Sequence, residues 1–304
     1  MKIAVFGAGA VGGFYGALLA RAGHDVHFIS RGAQLDALRT GGLRLESRSL
    51  GTITTGPVSA TDRAADVGPS PIVLVCVKAH QTREILDDLM PLVGDDTLIV
   101  PLQNGVESDD VLAARFGRAR VPAAVVYVGA TLVQPGVVRH VANGSIVIGA
   151  RPGFDASRLT PLRDALSSAF PVEISKDIQR ERWLKLVWNA SVNPVSAIAQ
   201  RSPHQLVVNA EGRELLRSVM HEVMAVARAQ GIDLPDSVPR DYFAWMERAS
   251  EVRSSMQIHR ERGASMETDA LVGVVIRKGQ ELGVPTPLSK ALYALLTAIE
   301  TPGP

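Results

Sequence analysis

Between Glu181 and Pro194 the chain reads ERWLKLVWNASVNP, and in it Lys185, Asn189 and Asn193 recur every four residues. That spacing stacks side chains on one face of a helix, so an ammonium and two carboxamides form a polar stripe on an otherwise apolar segment. A buried polar group costs free energy unless it meets a partner. A neighbouring helix or a water could serve a lone asparagine; for three groups in register a ligand is the natural partner. Pro194 cannot donate to the carbonyl of Ala190, which predicts a kink or a helix end there.

A second constellation opens the chain. Lys2–Phe6 reads as a strand and runs into Gly7-Ala8-Gly9-Ala10-Val11-Gly12, a G-x-G-x-x-G that begins a helix and is followed by a second strand, Val26–Ile29. Glycines in that context permit the tight turn, the approach of backbone to a pyrophosphate and the packing of helix on strand, while the helix N-terminus supplies N–H groups and positive dipole. The second strand ends in Ser30-Arg31, where a site for NAD would place a carboxylate. A guanidinium pairs with a 2′-phosphate, so NADPH is expected over NADH; the alternative for Arg31 is an ordinary solvated charge. Lys78 follows the apolar run Ile72–Val77 and Asn104 follows Thr97–Leu102. Both therefore belong at carboxyl ends of parallel strands, the ligand side of an open α/β sheet.

The elements needed to position these groups can be read from periodicity. Short β-branched runs alternate with amphipathic ones through Lys2–Phe6, Val11–Ala22, Asp25–Ile29, Ile72–Val77, Arg83–Met90, Thr97–Leu102 and Val121–Val128, the pattern of βαβ units and a mostly parallel sheet. Asn143-Gly144 between two β-type runs in Val137–Gly149 predicts a hairpin. Beyond about Asp155 the period becomes helical, through Leu159–Ser168, Gln179–Gln200, Gly212–Gln230, Asp241–Arg262, Glu267–Leu282 and Leu288–Ile299. The expected organisation is an α/β Rossmann-type dinucleotide-binding domain over 1–153 and an all-helical domain over 154–304, bounded near Arg151–Asp155.

Composition narrows the function classes. With 304 residues, 32 Lys plus Arg against 31 Asp plus Glu, and 46% hydrophobic residues, the chain is an ordinary globular one in which no charge run tips either half toward nucleic acid. The longest uncharged stretch, Val121–Val138, is interrupted by Pro122, Gly129, Pro135 and Gly136 and reads as two strands and a turn, not a membrane span. The single cysteine, Cys76, lies in an apolar run, permits no intramolecular disulfide and points to a reducing, cytoplasmic setting. Seven histidines and one cysteine form no ligand cluster, so no metal is expected.

The chain resembles the ketopantoate reductases (2-dehydropantoate 2-reductases) along almost its whole length. The resemblance rests on GAGAVGG at Gly7–Gly13, VKAHQT at Val77–Thr82, QNG at Gln103–Gly105, ANG at Ala142–Gly144, WLKLVWNASVNP at Trp183–Pro194, SSM at Ser254–Met256, and Glu267 with Asp269. It implies a 6-phosphogluconate-dehydrogenase-like architecture in which ketopantoate is reduced by NADPH in the cleft between the domains, during pantothenate and coenzyme A synthesis. Carried over by position, Lys185 would be the general acid and Glu267 would hold the nicotinamide ribose or the lysine. Asn189 and Asn193 would bind substrate oxygens, Ser255 the substrate carboxylate, and Asn104 both cofactor and substrate. The family also implies a possible homodimer.

Some positions depart from the family pattern. After Ser-Ser-Met the family commonly has Leu-Gln-Asp, where this chain has Gln257-Ile258-His259, and Ala270 and Val272 stand where Tyr and Asn are common. A further asparagine used by some members would fall near Pro203, which offers no amide. The lysine and glutamate are retained while their flanks differ, so the type of reaction is better marked than the substrate. Two other readings remain at this level: a reductase of another 2-oxo or 3-hydroxy acid, and a non-catalytic NADP-binding sensor, which would have no use for Lys185.

Overall fold

The structure, a computed structural model, describes residues 1–300; the last four residues of the expected helical domain, 301–304, lie outside the described residues. It divides into two compact units, one of Met1–Asn104 with Ser108–Ile178 and one that joins Gly105–Glu107 to the chain from Gln179 on.

The first unit is built on β1 (Lys2–Phe6), α1 (Ala10–Arg21), β2 (Asp25–Ile29), α2 (Gly32–Thr40), β3 (Arg44–Ser47), β4 (Gly51–Thr54), β5 (Ser59–Thr61), β6 (Ile72–Val75), α3 (Leu86–Leu89), β7 (Leu98–Pro101) and α4 (Ser108–Phe116). Its main sheet is all parallel, in the order β5-β2-β1-β6-β7. The first strand is thus central, as in a dinucleotide-binding half. Ile3, Ala4 and Val5 are fully buried because a central strand of such a sheet is covered on both faces. Phe14, Tyr15, Leu18 and Leu19 of α1 pack into the same core. The carboxyl ends of β1, β6 and β7 therefore lie side by side, which places the glycine loop, Lys78 and Asn104 along one edge. Helix formation between β6 and β7 is less extensive than the apolar spacing of 83–90 suggests, with only Leu86–Leu89 forming α3.

A second sheet, which includes β9 (Val137–Gly149) and β10 (Val172–Ile174), has the order β10-β9-β3-β4, with β8 (Ala123–Gln134) also paired to β9. Here the structure corrects the expected hairpin. The turn lies at Pro135-Gly136, and Asn143-Gly144 sits inside the continuous strand β9 as a bulge. Asn143 and Gly144 do take positive φ, 60° and 127°. A side chain at Gly144 would come within 2.8 Å of the Phe14 ring. The buried His140 holds the bulge, its Nε2 3.0 and 2.8 Å from the carbonyls of Ala142 and Asn143 and its Nδ1 2.8 Å from Ser47 Oγ. Carbonyls only accept, so Nε2 donates. The change of period near residue 155 marks α5 (Leu159–Ser167), which is followed by β10 (Val172–Ile174) paired to β9; the compact division falls later, after Ile178.

The second unit contains α6 (Ile178–Ala199), α7 (Pro203–Val207), α8 (Ala210–Ala229), α9 (Val238–Arg248), α10 (Ser255–Glu261), α11 (Val274–Leu282) and α12 (Pro287–Glu300). Its core draws on Trp183, Leu186 and Val187 of α6, Val219 and Val223 of α8, and Leu296 of α12. Pro194 neither ends nor interrupts α6, which continues to Ala199. The single helical stretch expected over Asp241–Arg262 is two helices, because Ser254 caps α10 by accepting from Gln257 N–H at 3.1 Å. The stretch from Glu267 begins as a π-helical turn, Asp269–Gly273, before α11. Among the described residues no helix is long and apolar enough to cross a membrane.

Candidate active site

In the first unit the candidate site is a backbone cradle. β1 ends at Phe6; Gly7 turns the chain at φ +96°, with its N–H on the Ile29 carbonyl at 2.9 Å, and Gly9 is the N-cap of α1. A Cβ on Gly12 would lie 2.0 Å from the Gly7 carbonyl oxygen and 3.0 Å from Cys76 Cβ, so only glycine lets α1 start this close to the loop. A Cβ on Gly9 would meet nothing within 4 Å, which leaves that side of the loop open. The intrahelical ladder begins with Gly13 N–H to Gly9 O at 2.8 Å, and the N–H groups of Ala10, Val11 and Gly12 precede it. Backbone donors beside an open glycine fit the pyrophosphate of a dinucleotide.

The supports of this cradle come from distant segments. Gln34 on α2 donates from Nε2 to the Ala8 carbonyl at 2.7 Å and accepts from Gly136 N–H at 2.8 Å, tying the loop to the β8–β9 turn. Lys78 precedes a short 3-10 turn, Ala79–Gln81. The buried Gln103 reaches Thr82 Oγ1 at 2.8 Å, and Thr82 donates to the Ala79 carbonyl at 2.7 Å, so the segments carrying Lys78 and Asn104 are fastened together. Arg31 is the N-cap residue of α2, exposed, and pairs with Asp88 at 2.7 Å. A 2′-phosphate would have to share or replace that carboxylate, a modest demand because an exposed ion pair contributes about 0–1 kcal/mol.

In the second unit the stripe is made of side chains. Asn189 and Asn193 are buried and joined, Asn193 Nδ2 donating to Asn189 Oδ1 at 3.1 Å, while Asn193 Oδ1 has no protein partner. Lys185 stands one turn earlier on the same face. The residue is half-buried by surface, but its ammonium lies among protein atoms, and it is the surroundings of the ammonium that govern its titration. Burial pushes its pKa down from the ordinary lysine range to about 8, against the opposing attraction of Glu267. About nine in ten such lysines remain protonated at pH 7. The ammonium is therefore a cation at neutrality that can give up its proton far more readily than a solvated lysine.

Glu267 is buried and takes φ +60°, an uncommon conformation for a residue with a Cβ. It comes from a segment 82 positions beyond Lys185, and the fold brings the two together. Ser255, the first residue of α10, is exposed. Arg260, further along α10, donates to the carbonyls of Ala197 and Ile198 at the end of α6, which fixes the serine's helix against the stripe's helix. Gln257 is buried with its Oε1 unpartnered.

Residue patterns give no sign of two further supports. Tyr242 donates to the Leu184 carbonyl at 2.7 Å, one residue before the lysine, and its ring meets Trp188 edge-on at 5.5 Å. Trp245 packs edge-on against the same Trp188 at 5.1 Å. These contacts hold α9 against α6 and set the rotation of the stripe. Their partners lie more than 50 positions apart, so no local spacing could have marked them.

Comparison with known proteins covers nearly the whole chain. Residues 3–153 match the family model described as Ketopantoate reductase PanE/ApbA, and residues 177–300 match its C-terminal counterpart. A relative from Mesorhizobium japonicum, called 2-dehydropantoate 2-reductase, is 34% identical over 97% of each chain. Among solved structures, a PanE/ApbA family ketopantoate reductase from Ralstonia eutropha is 38% identical with a TM-score of 0.89, covering 99% of this chain and 98% of that one. A 2-dehydropantoate 2-reductase from Geobacter metallireducens is 32% identical with a TM-score of 0.93, covering 98% of this chain and 99% of the other.

Proposed function

The chain belongs to the ketopantoate reductase family, and from that premise we propose that it reduces 2-dehydropantoate to pantoate with NADPH, a step of pantothenate and coenzyme A synthesis. The observation that carries the reading is Lys185: an ammonium desolvated to a pKa of about 8, beside Glu267, on the face shared with two buried carboxamides. A proton donor works best with a pKa near the operating pH. Held by the glycine loop, NADPH would supply a hydride to the 2-oxo carbon. Lys185 polarises the 2-oxo group and passes its proton from Nζ to the carbonyl oxygen, so ketone, NADPH and one proton become alcohol and NADP⁺. Solvent then reprotonates the lysine. Asn189 and Asn193 bind substrate oxygens, the unpartnered Asn193 Oδ1 accepting a substrate hydroxyl. Ser255 binds the carboxylate, and Glu267 fixes the lysine.

For the cofactor, Gly7, Ala8, Gly9, Ala10, Val11 and Gly12 cradle the pyrophosphate, with Lys78 and Asn104 on neighbouring strand ends. Arg31 binds the 2′-phosphate, exchanging Asp88 for it. A second reading, with another 2-oxo acid as substrate, is favoured by Gln257, a buried polar residue with an unmatched oxygen where the family commonly has leucine. A non-catalytic sensor is disfavoured, because cofactor binding alone needs no desolvated proton donor.

The test is initial-rate oxidation of NADPH and of NADH with ketopantoate, 2-oxoisovalerate, pyruvate and oxaloacetate. The fastest turnover is expected with NADPH and ketopantoate. A preference for another 2-oxo acid would favour the second reading, and turnover with none would overturn the enzymatic assignment.

A further inference from the structure

The left-handed turn at Glu267 is held from both sides by one carboxylate. Glu300, the last described residue of α12, accepts from the Met266 N–H at 2.8 Å on Oε1 and from the Thr268 hydroxyl at 2.9 Å on Oε2. Those donors belong to the residues immediately before and after Glu267. Met266 and Thr268 are buried, and the Glu267 carbonyl accepts from Leu271 N–H at 3.2 Å as the π-helical turn begins. A non-glycine residue in the left-handed region is strained and persists only where its surroundings hold it. Glu300 is well placed to hold the turn.

α12 is itself secured at its other end. Glu222 on α8 accepts from Leu288 N–H at 2.8 Å, Ser289 N–H at 2.9 Å and Ser289 Oγ at 2.9 Å, while Leu292 and Leu296 sink into the core. The helix is therefore a fixed rod that delivers Glu300 to the turn. The other charged groups on this segment are already engaged with each other: Asp269 accepts from Arg277 at 2.6 Å, and Arg277 also reaches Glu107 at 2.8 Å. Lys185 lies within electrostatic reach of Glu267.

We infer that Glu300 is a positioning residue: by bridging Met266 N–H and Thr268 Oγ1 it imposes the left-handed backbone at Glu267 and so sets that carboxylate beside Lys185. The inference rests on the roles proposed above for Lys185 and Glu267. Without the clamp the turn relaxes, Glu267 moves away from the ammonium, and the lysine loses its stabilising neighbour.

The decisive measurement is the pH profile of kcat/KM for ketopantoate reduction by the full-length Glu267→Gln, Glu300→Ala, Glu300→Gln and Glu300→Ala/Glu267→Gln proteins. Removing a nearby opposite charge lowers a lysine pKa by about one unit. Glu267→Gln should therefore move the alkaline fall of the profile to lower pH by about that much. Glu300→Ala should move it in the same direction and lower kcat by about tenfold, the cost of a misplaced catalytic group. The double variant should show no further displacement, since both changes remove the same interaction. Glu300→Gln should stay close to wild type, its amide oxygen accepting from Met266 and its NH₂ donating to the Thr268 hydroxyl. Should Glu300→Ala fail to fold, Thr268→Val, which removes one arm of the clamp, should show a smaller displacement in the same direction. An unmoved profile in Glu300→Ala or Thr268→Val, with Glu267→Gln displaced, overturns the role of Glu300 alone. An unmoved profile in Glu267→Gln overturns the underlying reading of Glu267.

Discussion

The glycine loop of the first unit and the α6 stripe of the second are built in opposite ways. The loop is almost all backbone: N–H groups at the start of α1, a turn that a Cβ at Gly7 or Gly12 would obstruct, and an open side at Gly9. The stripe is almost all side chain: one ammonium and two carboxamides from α6, and a carboxylate from a distant turn. A backbone site fails by steric intrusion and tolerates changes in flanking side chains. A side-chain site fails when one functional group is lost or when a remote support lets it drift.

The sharpest way to break this contrast is Lys185→Ala. It is expected to lower kcat by at least about 10²-fold, the low end for general acid catalysis, while NADPH binding measured by fluorescence titration stays near wild type. An unchanged kcat would remove the lysine from its role. Two glycine variants probe the other side. Gly12→Ala, with its Cβ 2.0 Å from a carbonyl oxygen, should destabilise the protein by about 1–3 kcal/mol or more in thermal or denaturant unfolding and abolish cofactor binding. Gly9→Ala, whose Cβ meets nothing within 4 Å, should leave unfolding unchanged and weaken the cofactor alone. Equal loss of stability in both would mean that the loop is a packing device rather than a cradle.

A gentler probe is pH. The general acid must be protonated, and the Lys185 pKa lies at about 8, so kcat/KM for reduction should be level below that value and fall above it, by about tenfold per unit once deprotonation dominates. The reverse reaction, which needs the neutral amine, should rise over the same range. A profile level to pH 10 would show that the lysine is not titrating as the acid. The smallest effect is expected at the exposed Arg31–Asp88 pair. Arg31→Ala should weaken NADPH several-fold, within about the 0.5–2 kcal/mol range of a partly screened charge contact, and leave NADH little changed. Equal losses for both cofactors would exclude a 2′-phosphate contact.

Much of this could be read from residue order. The parallel α/β half, the glycine cradle at Gly7–Gly12 and the register of Lys185, Asn189 and Asn193 all depend on periods of two, four and six residues, which the chain displays directly. Asn143-Gly144 shows where such reading fails. A hairpin turn was expected there, but the partner strand β8 runs alongside without a break, so the pair became a bulge with positive φ rather than a turn. Pro194 fails in the other direction: the packing of α6 carries the helix past a lost hydrogen bond. Ser255 and Glu267 were marked by family resemblance alone, because each stands isolated in sequence.

By itself, then, the sequence determined the local chemistry: which turn can approach a phosphate, which helix face carries a cation and amides, and which fold class can present both. The tertiary structure decided how that chemistry is tuned and held. Desolvation moved Lys185 toward neutrality, Tyr242 fastened the carbonyl preceding it, and Glu300 reached the residues flanking Glu267. Short-range periodicity cannot encode these effects, since each depends on groups 30 or more residues apart meeting in the folded chain.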